Sequence, residues 1–93
     1  MTYARIDENQ PAIVKVLVEA GAGVLSLAEV GKGCPDLLVW SPDGEYLLIE
    51  IKNPDKPKRD RDLTPAQVKF HSTWKGIINI IETPEQALRL IGR

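Results

Sequence analysis

Asp36, Glu50 and Lys52 are the residues whose types and spacing could do chemistry. Glu50 and Lys52 close the run "LLIEIK", which has the composition of a buried strand. Strand side chains alternate between faces, so Glu50 and Lys52 share a face with Leu48, while Leu47, Ile49 and Ile51 take the other. The apolar set belongs to a core. A carboxylate and an ammonium on the opposite face need a partner of their own.

The turn upstream supplies one. "SPDGE" has Ser, Pro and Asp in type I turn positions and Gly where a left-handed residue follows, the pattern of a hairpin loop with a bulge. This register pairs Ser41 with Glu45 and, counting back, Asp36 with Glu50. Directly paired residues hold their Cβ atoms roughly 4.5–5.5 Å apart. Two carboxylates so placed repel, and a hard divalent cation reverses the sign. Mg²⁺ or Mn²⁺ takes carboxylate oxygens and keeps waters in its remaining positions. The expected ligands are Asp36, Glu50 and the backbone carbonyl of Ile51. Lys52 would hold an attacking water or steady charge on a phosphoryl group, and lysine suits a site where a proton moves. The plain alternative is a polar strand end at Asp36 beside ordinary same-face neighbours.

The elements that must position these residues follow from the pattern of the chain. Ile13, Val14, Val16, Leu17 and Ala20 recur at helical spacing and Gly21 follows, which predicts a helix over about residues 8–20 with Pro11 in its first turn. "GVLSLAEV" reads as a short strand or two, "GKGCPD" as a loop, "DLLVW" and "YLLIEIK" as strands. "NPDKPKRDRD" reads as a polar surface loop. "LTPAQVKFHSTW" opens a helix with Thr64, Pro65 and Gln67 in a capping box, and "TPEQALRLIG" repeats that start after the strand "GIINII". The order is αβββαβα. It predicts an α/β layer fold in which the last strand runs parallel to "YLLIEIK", making the sheet mixed and flanked by helices.

The totals set bounds. The chain has 93 residues, 43% hydrophobic and 27% charged, with a formal net charge of -1. That is one domain spanning residues 1–93, small enough that some apolar surface is expected to be buried in a dimer. No global basicity advertises nucleic acid, so any such contact must be local. Lys56, Lys58, Arg59 and Arg61 form a cluster after Lys52, with Asp55, Asp60 and Asp62 between them, and Lys32 sits in the glycine loop. These five cations are the candidate phosphate contacts; a solvated loop is the alternative. One cysteine, Cys34, allows no internal disulfide, as expected in a reducing cytoplasm. Cys34 reads as loop packing, since a hard cation does not select thiolate. The first ten residues carry no apolar signal core, and no run is long enough to span a membrane. Trp40 and Trp74 read as core or interface anchors, and His71, one turn after Gln67, as surface.

Together "GKGCPDLLVW", "LLIEIK" and "LTPAQVKFH" resemble the VRR-NUC family of the PD-(D/E)xK nuclease superfamily. Pro35-Asp36, then Glu50-x-Lys52, then the Gln67 helix carry the likeness, which runs from Glu8 to the end of the chain. It implies a restriction-endonuclease-like core and Mg²⁺- or Mn²⁺-dependent hydrolysis of DNA, with Asp36 and Glu50 on the metal, Lys52 assisting the water and Gln67 beside the site. Minimal stand-alone members, many from phages, resemble Holliday-junction resolvases, homodimers that act on branched DNA. One position departs. The family often has a glutamate inside the first helix, where this chain has Ala12; Glu8, a turn earlier, is the replacement the resemblance offers. A non-catalytic DNA-binding or assembly module with the same fold, and a nuclease that nicks ordinary duplex, are the rival readings.

Overall fold

The computed structural model describes residues 7–93. Four strands form one sheet in the order β1-β2-β3-β4: β1 Gly23–Ser26, β2 Leu37–Trp40, β3 Tyr46–Ile51 and β4 Ile78–Ile81. The first three are antiparallel neighbours, and β4 runs parallel to β3, as the chain order predicts. The helices are α1 Gln10–Glu19, α2 Lys58–Arg61, α3 Pro65–Thr73 and α4 Pro84–Leu90. The fold is α/β with a mixed sheet flanked by helices. Helix α2 is a single turn within the stretch that reads as an irregular loop.

The hairpin register follows from its turn. Ser41 donates its N–H to the Glu45 carbonyl at 2.7 Å and accepts from the Gly44 N–H at 2.9 Å. The Ser41 hydroxyl also accepts from the Glu45 N–H, and Gly44 has φ of +90°, the left-handed bulge position. The ladder then runs Trp40↔Tyr46 to Leu37↔Ile49. One residue further, Asp36 meets Glu50.

The two faces of the sheet are covered unequally. Leu37, Val39, Ile49, Ile51 and Ile81 point inward and pack with Ile13 and Leu17 of α1 and Ala87 and Ile91 at α4. Burying each large aliphatic side chain contributes about 1.5–3 kcal/mol, so this layer holds the domain together. The other face carries Leu38, Leu48, Glu50 and, by register, Ile80. Among the described residues α3 reaches this face through the Gln67–Glu50 hydrogen bond, and α3 has no buried residue.

Helix α1 begins at Gln10, two residues later than its periodicity predicts. Its N-cap, Asn9, makes no side-chain cap. The Asn9 amide instead donates to the carbonyls of Lys52 at 3.0 Å and Glu82 at 2.8 Å. It thereby ties the start of α1 to the ends of β3 and β4. Among the described residues no helix is long and apolar enough to cross a membrane; the first six residues of the stretch searched for a signal lie outside the described part.

Candidate active site

The site forms where the C-terminal end of β3, the loop before β2 and the N-terminus of α3 meet. Asp36 Oδ2 accepts from the Ile51 N–H at 2.6 Å. The Glu50 and Asp36 carboxyl groups lie close enough to interact electrostatically. Glu50 is only 2% exposed, and its Oε1 is buried without a hydrogen-bond partner. Burial pushes the Glu50 carboxyl up from 4.5 to about 9, helped by Asp36 and by the charge of Asp7, and opposed by Lys52. Without a cation the pair therefore shares a proton at neutral pH, as two close carboxylates must.

Gln67 links these groups. Its Oε1 accepts from Lys52 Nζ at 2.7 Å and from the Thr64 N–H at 2.9 Å. Its Nε2 donates to Glu50 Oε2 at 3.1 Å. The capping box and the contact with the site are thus made by one side chain. Lys52, 8% exposed, also donates to the Asp62 carbonyl at 3.4 Å. An ammonium has three donors, so one is left for whatever enters the site.

Helix α3 is held there by the glycine loop. Gly31, Lys32 and Gly33 all have positive φ, of +71°, +57° and +79°. This left-handed run lays Gly33 against the first turn of α3: a Cβ at Gly33 would stand 2.2 Å from the Ala66 carbonyl oxygen. Only glycine permits this approach.

Asp7, which sequence reasoning passed over, belongs to this neighbourhood. Its carboxyl is pushed up from the usual range by burial and by the Asp36 charge, and is drawn down by Lys52 and Lys56. Glu8, the first-helix candidate, is exposed. A helix start shifted by two residues changes which acid faces the sheet end. Among the described residues no three His, Cys, Asp or Glu side chains converge as a metal-holding group. Two carboxylates, Asp36 and Glu50, lie together at this point, with Asp7 in their electrostatic field.

Cys34 lies beside the pair: burial, then Glu50, then Asp36 push its thiol up. His71 is half-buried, with Nε2 unpartnered. The basic residues differ in exposure. Lys32, Lys56, Lys58 and Arg59 are exposed and Arg61 is half-buried. Lys58 Nζ lies 4.0 Å from Asp62 in a solvated pair, worth little. Arg61 lies 3.9 Å from Glu82.

Known proteins bear on the fold. A solved structure described as a VRR_NUC domain matches with a TM-score of 0.59 and 24% identity, over 91% of this chain and 96% of that one. No protein-family model matches the sequence. No curated protein matches it either. The sheet order, the parallel β4 and the alignment over nearly all of both chains lead to one conclusion: this chain has the fold of a VRR_NUC domain.

Proposed function

We propose that the protein is a Mg²⁺- or Mn²⁺-dependent deoxyribonuclease that hydrolyses phosphodiester bonds, with branched DNA such as a four-way junction as its preferred substrate. The observation that carries this reading is buried Glu50 beside the half-buried Asp36, with an unpartnered Glu50 oxygen near a lysine. A fold has no reason of stability to bury one acid beside another that repels it. A small divalent cation removes the repulsion and takes up the orphaned oxygen. The donor set is all oxygen, as Mg²⁺ and Mn²⁺ require.

In this reading Asp36, Glu50 and the Ile51 carbonyl hold the cation. Asp7 replaces Glu8 as the acid on the first-helix side, acting through water. The cation supplies charge neutralisation at the scissile phosphate and a more acidic water. The chain's own residues do the rest. Lys52 keeps one N–H for the water or the phosphate oxygen. Gln67 fixes the Lys52 ammonium and the Glu50 carboxylate relative to each other, so it is a positioning residue. Asn9 keeps the end of β3 in place from behind. Lys32, Lys56, Lys58, Arg59 and Arg61 hold the phosphate backbone, and affinity should fall as salt rises. A homodimer would bring two such sites to one junction. The setting proposed is the cytoplasm of a bacterial or phage-infected cell, which suits a single free thiol.

The test is cleavage of labelled four-way junction, flap and linear duplex with Mg²⁺ or Mn²⁺, comparing the native chain with Asp36→Ala and Lys52→Ala. The expected result is junction cleavage by the native chain, reduced on the order of 10²–10⁴-fold in each variant. Equal rates in all three proteins would remove the assignment of the site. No cleavage by the native chain would favour the binding module, and equal cutting of all substrates the duplex nickase.

A further inference from the structure

Asn53 is polar, buried and placed directly after Lys52. It is 6% exposed. The Lys52 N–H adds a bond to β4 by donating to the Ile81 carbonyl at 2.9 Å, so the turn at Asn53 begins where the sheet ends. A buried polar side chain has to find partners, and Asn53 spends its acceptor on this turn. Its Oδ1 accepts from the Asp55 N–H at 3.0 Å, and its carbonyl accepts from the Lys56 N–H at 3.1 Å. The sequence "NPDK" suits both bonds. Asn at the first position reaches the backbone two residues on, and Pro at the second presets φ. The chain therefore reverses at once on leaving β3, through fixed hydrogen bonds.

The turn decides where Lys56 goes. A β-turn brings its first and fourth Cα atoms within about 7 Å of each other, and Lys52 stands one residue before the first. Lys56 is thus returned to the neighbourhood of Lys52 instead of being carried off along the loop. The electrostatics agree: burial and the Asp36 charge raise the Asp7 carboxyl, and Lys52 and Lys56 both draw it down. Lys58 and Arg61, by contrast, are turned to acids, 4.0 Å from Asp62 and 3.9 Å from Glu82. Lys56 is exposed, so its ammonium is open to an incoming anion.

We propose that the Asn53 turn presents Lys56 as the clamp for the DNA phosphate next to the scissile one, with Asn53 as its positioning residue. The inference rests on the nuclease reading and deepens it: five cations there share one task, and the turn singles out one of them. Lysine meets a phosphate as a point charge on a flexible stem, so its placement must come from the backbone. A phosphate held one step away fixes the scissile group against the Asp36–Glu50 site. Lys58, turned to Asp62, serves affinity alone.

The test is fluorescence-anisotropy binding of a labelled four-way junction to the metal-free full chain over a potassium chloride series. The proteins are the native chain, Lys56→Gln, Lys56→Arg, Asn53→Ala, the double variant Asn53→Ala with Lys56→Gln, and Lys15→Gln, which removes an exposed cation of α1. Circular dichroism verifies that each is folded. Loss of one phosphate contact lowers the slope of log affinity against log salt by about 0.9. That drop is expected for Lys56→Gln, with Lys56→Arg and Lys15→Gln at the native slope. Asn53→Ala is expected to weaken binding alone and to add nothing to Lys56→Gln, because it acts through that ammonium. In single-turnover cleavage at saturating DNA, Lys56→Gln should slow the reaction on the order of 10-fold, and Lys58→Gln should not. A native slope in Lys56→Gln, an additive effect of Asn53→Ala, or equal slowing by Lys56→Gln and Lys58→Gln would overturn the proposal. The binding arm needs no cleavage. A chain that binds with these differences but cuts nothing keeps Lys56 as the phosphate contact and loses the nuclease reading, and a chain that cuts with all slopes equal does the reverse.

Discussion

Glu50→Gln is expected to stop DNA cleavage and, in the absence of metal, to make the protein more stable. Both effects have one cause. The Glu50 carboxyl is raised from 4.5 to about 9 by burial and by Asp36. Between those values the folded chain keeps a proton that the unfolded chain has released. The stabilising protonation is fully present below the unfolded value and is lost as pH rises through the folded one. Metal-free stability should therefore decline from about pH 5 to pH 9, by at most about 1.4 kcal/mol per pH unit for one proton. An amide carries no such titration. Its thermal midpoint should exceed that of the native chain at pH 8, match it near pH 4, and vary less between the two. A midpoint shift of ~4–8 °C per kcal/mol makes the difference measurable in a domain of this size. Cleavage should fall on the order of 10²–10⁴-fold, since an amide neither binds a hard cation well nor neutralises it. A midpoint that is lower in the variant at pH 8 would mean that Glu50 stabilises the fold and the site reading is wrong. The trade is the one expected where function retains a destabilising group.

Gly33→Ala should damage the site without touching any of its reactive groups. The new Cβ would lie 2.2 Å from the Ala66 oxygen, 2.4 Å from the Ala66 carbon and 2.7 Å from the Gln67 nitrogen. All three are backbone atoms, so the first turn of α3 must move. Gln67 then loses its 2.7 Å hold on Lys52 and its 3.1 Å bond to Glu50. Gly31→Ala is the matched control. Gly31 also has positive φ, but a Cβ there meets nothing within 4 Å. Both variants incur the backbone strain of a left-handed alanine, about 1–2 kcal/mol. Only Gly33→Ala adds the displacement of α3. The expected outcome is a modest loss of thermal midpoint with cleavage retained for Gly31→Ala. For Gly33→Ala the loss is larger, and cleavage falls roughly 10²-fold, the cost of misplacing positioning groups by about 1 Å. Equal behaviour of the two would show that the contact with α3 does not position the site.

These cases show what could be read from the chain and what could not. The pairing of Asp36 with Glu50 was legible because a turn of fixed chemistry sets register: once Ser41 and Glu45 pair, every partner follows by counting. The start of α1 was less legible, and Asp7 was missed with it. Periodicity locates a helix face but not its first residue, and Asn9, a residue type that usually caps, is diverted to the carbonyls of Lys52 and Glu82. That tie spans distant parts of the chain, so no local pattern announces it. Gln67 offered two explanations, cap or site, and the structure uses both because the amide has an acceptor and a donor end. The open outer face was hidden for another reason. "YLLIEIK" tells which residues share a face, but not that the helix opposite is too short and too polar to cover them.

Asp36 and Glu50 are proposed to form one cation site, kept closed by a proton when no metal is bound. Calorimetric titration of Mn²⁺ into the metal-free protein, repeated in buffers of different ionisation enthalpy, tests it directly. The account predicts binding that releases about one proton per ion at neutral pH, tightens as pH rises toward 9, and is lost in Asp36→Asn and Glu50→Gln. Binding that releases no proton, or that survives both substitutions, would contradict it.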